Sequence, residues 1–330
     1  MRKAFLIISL FLVIGLSGLL FKGYKFAHQL WIKPNLTKSQ LYTLKPGERL
    51  IDVLSQLTVL NKTQQISLKF WFRIHPKLAR IKAGTYELPA QSSFADIAAI
   101  LRSGKVYQYH LTLVEGETLS QWWQRLSNSP GLIPPQKSPE EIAAQLKAPS
   151  TNLEGLLLPE TYYYTHGTKA IAVIRRAYHS MEQISSQLWE NRDKDLPLTS
   201  RYQLIILASL IQKETGINSE MPKVASVFVN RLHKGMRLQT DPTVIYGLGD
   251  AYNGHITRAD LKAKNAYNTY VIHGLPPTPI AMPGKVALKA AAHPEQTHYY
   301  YFVADGTGGH HFSQTLKQHN RAVRKYILNR

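Results

Sequence analysis

The sequence contains no cysteine, which excludes a disulfide framework and thiol catalysis but does not choose between compartments. Acidic residues are scarce: 21 Asp and Glu stand against 40 Lys and Arg, a net charge of +19. A basic surface of that size meets polyanions, and nucleic acid, phospholipid headgroups and anionic cell-wall polymer all qualify. No helix-turn-helix, zinc-finger or RNP pattern is present, so nucleic acid is set aside as a partner. The C-terminal histidines His293, His298, His310, His311 and His319 match no HExxH or His-Cys zinc spacing and read as polar surface. Neither a metal nor a cofactor is expected. At 330 residues with 44% hydrophobic content the chain is long enough for two domains, and disorder is not its default.

One stretch lacks charge altogether. Ala4 to Phe21, "AFLIISLFLVIGLSGLLF", holds 18 uncharged residues between Arg2 and Lys3 on one side and Lys22 and Lys25 on the other, the length of one membrane crossing. No small-x-small cleavage site follows; "KGYKFAHQLW" brings lysines and aromatics suited to an interface. An uncleaved anchor over 4–22 is expected, with residues 1–3 inside and the remainder outside. Similar basic counts on both flanks leave the positive-inside rule undecided.

After the anchor, "YTLKPGERLIDVLSQL" from Tyr42 is echoed 69 residues later by "LTLVEGETLSQWWQRL" from Leu111. Thr43/Thr112, Leu44/Leu113, Gly47/Gly116, Glu48/Glu117 and Leu50/Leu119 coincide. Each copy reads as a strand, a glycine turn and a helix. Lys82 to Gly104 has a similar rhythm, with a helix led by Ser92 or Ser93. The pattern resembles LysM modules, which bind N-acetylated glycans; a duplicated packing unit without ligand reads equally well. Residues 127–150, rich in Pro, Ser, Gln and Lys, suggest a linker or loose helical connection. In "NLEGLLLPETYYYTHGT" alternation puts at least one of three tyrosines on a core face.

The most informative stretch is "LIILASLIQKETGINSE", Leu204 to Glu220. Every residue from Leu204 to Ile211 except Ser209 is apolar, the pattern of a helix buried on most of its circumference, and Gly216 is the natural stop. Glu214 continues the stripe of Leu207, Leu210 and Ile211, whereas Lys213 points about 100° away. A helix C-terminus and an apolar neighbourhood both disfavour a carboxylate's ionised form. A carboxyl group kept protonated in this way is what a general acid needs; an outward turn at a frayed end is the simpler alternative. The next helix, "SEMPKVASVFVNRLHKG", is expected to be capped by Ser219, with Glu220 in its first turn serving the cap. Gln239, Asn253, Asn265, Asn268, Tyr246, Tyr267 and Tyr270 supply amides and aromatic faces of the kind sugars use, although such loops also occur without ligands. The proline-rich stretch Asn265 to Gly284 is expected to be a rigid loop, "HYYYFVADGTGGHHFSQT" a strand, glycine turn and returning strand, and the chain closes on a basic helix.

Taken in order, "ASLIQKET", "KVASVFVNRLHKGMRLQTDPTVIYGLG", "AYNTYVIHGLPPTPIAMPG", "ALKAAAHPE" and "YYFVADGTGGHHFSQTLKQHN" closely resemble the YceG-like family of endolytic murein transglycosylases, over most of Leu153 to Asn320. The resemblance implies an α+β fold: the transmembrane helix, a LysM-like αβ region over 36–126, and a larger α+β catalytic domain over 151–330. It implies cleavage of the β-1,4 bond between N-acetylmuramic acid and N-acetylglucosamine, leaving 1,6-anhydro-muramic ends, by a single glutamate. That family's motif is E-K-E with the second acid acting, and here it reads Gln212-Lys213-Glu214, so Glu214 holds the catalytic position. Gln239, Thr240, Asp241, Asn268 and Tyr270 are the candidates for orienting sugar. Glycan strands of peptidoglycan are the implied substrate and penicillin-binding proteins the implied partners, in a single-pass protein of the bacterial inner membrane with its catalytic domain in the periplasm. The competing reading, supported by the Gln212 departure, is a catalytically impaired peptidoglycan-binding scaffold.

Overall fold

The computed structural model describes residues 2–328; Met1 of the expected tail, and Asn329 and Arg330 at the end of the expected catalytic domain, lie outside the described residues. The chain is mixed α+β and forms two compact units, residues 1–109 and 110–330.

The first unit opens with α1 (Arg2–Ile32), whose segment from Leu6 to Ile32 is long and apolar enough to cross a membrane. The helix outruns the expected 4–22 anchor by ten residues. Its far end is held by packing: Ala27, Leu30 and Trp31 are buried, whereas the large apolar side chains from Leu6 to Phe21 remain exposed. Then follow β1 (Gln40–Leu44), α2 (Leu50–Leu57), α3 (Lys62–Ile74), β2 (Gly84–Leu88) and α4 (Phe94–Ser103). β1 and β2 pair antiparallel, with Gln40 opposite Leu88 and Leu44 opposite Gly84. Leu50, Leu54, Leu68, Tyr86, Phe94 and Ile97 fill the core behind them. Ser93, not Ser92, starts α4, in a reciprocal capping box with Asp96.

The second unit takes in β3 (Tyr109–Thr112) from His110 onward, then α5 (Leu119–Asn128), β4 (Leu132–Ile133), α6 (Pro139–Leu146), β5 (Thr161–Tyr164), β6 (Thr168–Lys169) and α7 (Ala170–Glu190). It continues through α8 (Arg201–Glu214), α9 (Met221–His233), α10 (Asp241–Leu248), α11 (Lys285–Ala292), β7 (Tyr301–Ala304), β8 (His310–Ser313) and α12 (Leu316–Val323). α8 is the central helix: every residue from Leu204 to Ile211 is buried, with α7, α9 and α11 packed around it. The strands serve only as two-stranded edges, including a parallel pair of β4 with β6 and an antiparallel hairpin of β7 with β8.

Both copies of the repeat form the expected strand, turn and helix, with Gly47 and Gly116 at φ +86° and +77°. Their matched threonines do matched work, Thr43 bonding Thr85 and Thr112 bonding Thr161, each Oγ1 to Oγ1 at 2.9 Å. The second copy nevertheless packs in the second compact unit. The stretch expected as a linker carries α6, set by a Ser138/Glu141 capping box and anchored by buried Ile142 and Ala143. Tyr162 and Tyr164 point into the core and Tyr163 is exposed, as alternation requires. Asn265 to Gly284 contains no regular element.

Candidate active site

α8 ends at Glu214, but not on Gly216: Thr215 leaves the helix in an extended conformation, so no left-handed glycine stop is needed. The Glu214 carboxylate stays inward. It lines a cleft of about 430 Å³ together with Arg231, Gln239, Asp241, Tyr270 and His310, among others. The Thr240 hydroxyl donates a hydrogen bond to its Oε1. Burial pushes the Glu214 carboxyl above the ordinary carboxylate range, and the charge of Asp241 adds to this. The Thr240 hydrogen bond, and more weakly His310 and Arg231, oppose the rise without cancelling it.

The five candidate sugar-orienting residues separate into two groups. Gln239, Asp241 and Tyr270 line the cleft beside Glu214, and the Tyr270 hydroxyl donates to Asp241 Oδ1 at 2.6 Å. Gln239 holds a left-handed backbone at φ +51°, a conformation that costs a non-glycine residue about 1 kcal/mol or more. Thr240 and Asn268 are each 2% exposed and face the protein. Thr240 is fixed by its backbone N–H donating to Thr269 Oγ1 at 3.0 Å and presents its hydroxyl to Glu214. The Asn268 amide donates to the carbonyls of Asp260 and Ala263 at 3.0 and 2.9 Å and accepts from the Tyr270 N–H at 3.0 Å. It shapes the loop that presents Tyr270 and, buried, does not line the cleft.

The structure also changes the reading of Glu220. At the start of α9 neither Ser219 nor Glu220 makes a side-chain cap. Glu220 instead accepts from the backbone N–H of His310 at 2.9 Å and pairs with His310 Nδ1 at 2.8 Å. Burial works to raise its carboxyl, but the two His310 contacts and the Thr215 hydroxyl hold it below the ordinary range. It therefore ties the β7–β8 hairpin to α9 beside the cleft.

Arg231 is no candidate by residue pattern, and His310, expected as polar surface, is instead largely buried in the cleft wall, its side chain 14% exposed. Arg231, 8% exposed, donates to the carbonyls of Tyr300 and Leu238 at 2.7 Å each, which spans α9 to the hairpin and the Gln239 turn. Its signal is only an arginine on an otherwise apolar helix face. His310 sits in the C-terminal histidine group, but those histidines disperse: His293 pairs with Asp193, His310 with Glu220, and His319 stacks on Tyr301. Among the described residues no three His, Asp or Glu side chains gather as metal ligands.

Neighbours of Glu214 hold the helix end in place. Gln212 Oε1 accepts from the Gly284 N–H at 2.9 Å, and Lys213 Nζ donates to the Gly116 carbonyl at 3.2 Å. Neither lines the cleft. A second buried carboxyl, Glu154, is 3% exposed and accepts from the Leu119 N–H at 2.9 and 3.1 Å and from the Tyr246 hydroxyl at 3.2 Å. Burial pushes it up to about 7, against these two bonds and the Lys213 charge. The following residue, Gly155 at φ +73°, abuts Pro279 so closely that a Cβ would lie 2.3 Å from its ring, which docks the proline-rich loop.

The YceG-like family model matches residues 42–325. The chain belongs to the YceG-like family. Among curated relatives it is similar to the endolytic murein transglycosylase of Bacillus subtilis (strain 168), at 32% identity over 83% of this chain and 81% of the relative. It is also similar to the endolytic murein transglycosylase of Streptococcus pneumoniae (strain D39), at 24% identity over 98% of this chain but only 65% of that protein's length. A crystal structure of a putative YceG-like protein from Listeria monocytogenes superposes with a TM-score of 0.53 at 29% identity, covering 86% of this chain and 99% of the other. In this YceG-like chain the matched region contains the whole cleft.

Thr240→Val offers a direct check on the site. Removing the one hydroxyl that favours ionised Glu214 moves the alkaline limb of activity to higher pH, and lowers kcat about tenfold if a charge-assisted bond of about 1.5 kcal/mol positions the carboxyl. Thr240→Ser should restore both. A pH profile unmoved by Thr240→Val would separate Thr240 from the chemistry.

Proposed function

We propose that this protein is an endolytic murein transglycosylase that cleaves the β-1,4 bond between N-acetylmuramic acid and N-acetylglucosamine within peptidoglycan strands, leaving 1,6-anhydro-muramic ends. The observation that carries this reading is Glu214 itself, a carboxyl raised by burial at the end of an apolar helix and opening on the cleft. In the neutral form Glu214 protonates the glycosidic oxygen as the bond to muramoyl C1 breaks. As carboxylate it then accepts the proton of the muramoyl C6 hydroxyl, whose oxygen attacks C1 and closes the anhydro ring. One group serves as acid and then base. The names of the relatives, and a net charge of +19 facing an anionic wall, support the substrate class.

The apolar α1 supports a single-pass anchor; the catalytic unit is assigned to the periplasmic side of the bacterial inner membrane because its substrate lies there, and penicillin-binding proteins are the partners expected of a wall-cleaving enzyme. The strand–turn–helix units between 36 and 126 are assigned to glycan strands as LysM-like elements, on the strength of the repeated turns and paired threonines. The Gln212 departure gives no support to an impaired scaffold, because the side chain holds Gly284 outside the cleft wall and an amide oxygen accepts that N–H.

A second reading rests on Asp241, the other carboxylate of the cleft. A glycoside hydrolase needs a second carboxylate as nucleophile or base, and Asp241 could fill that role. Mass spectrometry of fragments released from purified peptidoglycan separates the two. Anhydro ends, retained in Asp241→Asn, are expected; reducing ends that vanish in Asp241→Asn would establish the hydrolase.

A further inference from the structure

The β7–β8 hairpin and α12 divide two clefts. Toward Glu214 they present Tyr301, Phe302, His310 and, from α12, Leu316 and His319. Their other side lines a second cleft of about 470 Å³ with Tyr299, Phe312, Ser313, Arg321, Lys325 and Tyr326 among its walls. No lining side chain there is acidic, and among the described residues no carboxylate pairs with Arg321 or Lys325. The Tyr299 and Phe312 rings stand 5.6 Å apart, and the Lys325 ammonium lies 4.8 Å from the Tyr326 ring. Ser313 is 3% exposed and its hydroxyl finds no hydrogen-bond partner.

We infer that this second cleft binds the acidic peptide stem carried by the glycan strand being cleaved. The inference rests on the reading of the first cleft as the murein site. Chemistry selects the ligand: two cations without a carboxylate partner match backbone-linked carboxylates, and aromatic faces cover short aliphatic side chains. Distance agrees. A helix with its side chains is about 10 Å across, and an extended tetrapeptide reaches roughly 13 Å, so a stem leaving a sugar in the first cleft can cross the wall that both share. A glycan chain alone carries no carboxylate that would call for Arg321 and Lys325 once its lactyl groups are amide-linked to the stems.

The test uses the full-length protein in detergent and the double variant Arg321→Gln/Lys325→Gln, neither residue belonging to the catalytic cleft. In calorimetric titration with the sugar-free, N-acetylated tetrapeptide N-acetyl-Ala-γ-D-Glu-Lys-D-Ala, whose blocked N-terminus mimics the lactyl amide and leaves two carboxylates against one amine, the parent protein should bind, more weakly as salt rises, and the variant should bind about tenfold more weakly, the worth of two partly screened charge contacts. On peptide-bearing strands the variant's KM should rise about tenfold with kcat unchanged, while strands stripped of peptide by an amidase should be cleaved equally by both proteins. Absence of peptide binding by the parent, or equal binding by the variant, overturns the inference. A KM rise equally large on stripped strands would assign the cleft to sugar. Binding of poly(glycerol phosphate) in place of the peptide would assign it to a phosphate polymer. If the parent releases no anhydro ends from any strand, the reading of the first cleft fails, and the titration still decides the second.

Discussion

Glu214→Gln should abolish the formation of anhydro-muramic ends, lowering the rate by ~10²–10⁴, the span that proton transfer by a positioned side chain contributes. Gln keeps the shape and an oxygen able to accept from Thr240, but it has no proton to give to the glycosidic oxygen. The fold should survive. A carboxyl whose folded value lies above its unfolded one is stabilising when protonated and loses that contribution as pH rises through the folded value. Gln removes the cost of ionising Glu214, so the variant should be at least as stable as the parent at neutral and alkaline pH. The same raised value places the alkaline limb of the parent's activity above the ordinary carboxylate range, because the reaction begins with the acid protonated. Asp241→Asn removes a charge that raises Glu214 and should draw that limb to lower pH. Retention of most of the parental rate by a folded Glu214→Gln protein would place the general acid elsewhere.

Glu154→Gln should flatten the pH dependence of stability by about 3 kcal/mol. Glu154 rises from 4.5 to about 7 on folding, chiefly through burial, and each tenfold change in proton affinity is worth roughly 1.4 kcal/mol. The sign follows from which form the fold prefers. Below about pH 4.5 the group is protonated in both states and costs nothing; between 4.5 and 7 the unfolded chain ionises freely while the folded one resists; above about 7 the penalty is constant. The variant carries no such penalty. The gap between variant and parent should therefore shift in the variant's favour from pH 4.5 to pH 8, whatever constant offset arises from the hydrogen bonds to Leu119 and Tyr246. Denaturant unfolding of both proteins at several pH values measures it, and parallel curves would show that the burial of Glu154 is relieved by water. Because Tyr246 belongs to α10, whose first residue is the cleft's Asp241, the stronger hydrogen bond that ionised Glu154 accepts from the Tyr246 hydroxyl ties this titration to the element that borders the site.

Local pattern was enough for the elements that obey local rules. The apolar run of α8 broken only by Ser209, the helix led by Ser93, the repeated glycine turns and the alternating tyrosines of β5 are properties of neighbouring residues, and each stands in the structure where the sequence pattern allows it. The order of motifs was enough for the family. Where the chain departs from the sequence reading, a distant partner is responsible. α1 runs on to Ile32 because Ala27, Leu30 and Trp31 have a core to enter, and α6 condenses from a proline-rich stretch because Ile142 and Ala143 do.

The stripe on which the acid at the end of α8 lies was thus determined by the sequence alone, since helical geometry aligns Glu214 with Leu207, Leu210 and Ile211; that the carboxyl stays inward and does not turn out at a frayed helix end was decided by the cleft wall it packs into. What surrounds that acid was decided by tertiary structure. Thr240, 26 residues on, reaches its oxygen; Asn268, a candidate sugar ligand by composition, is buried and bonded to four backbone groups; Glu220, a candidate cap, is taken by His310, 90 residues away. A hydrogen-bonding side chain has few valences, and which partner fills them depends on which segments the buried core brings together. Residue type and spacing record that a valence exists, and only the packed fold shows whether it remains open.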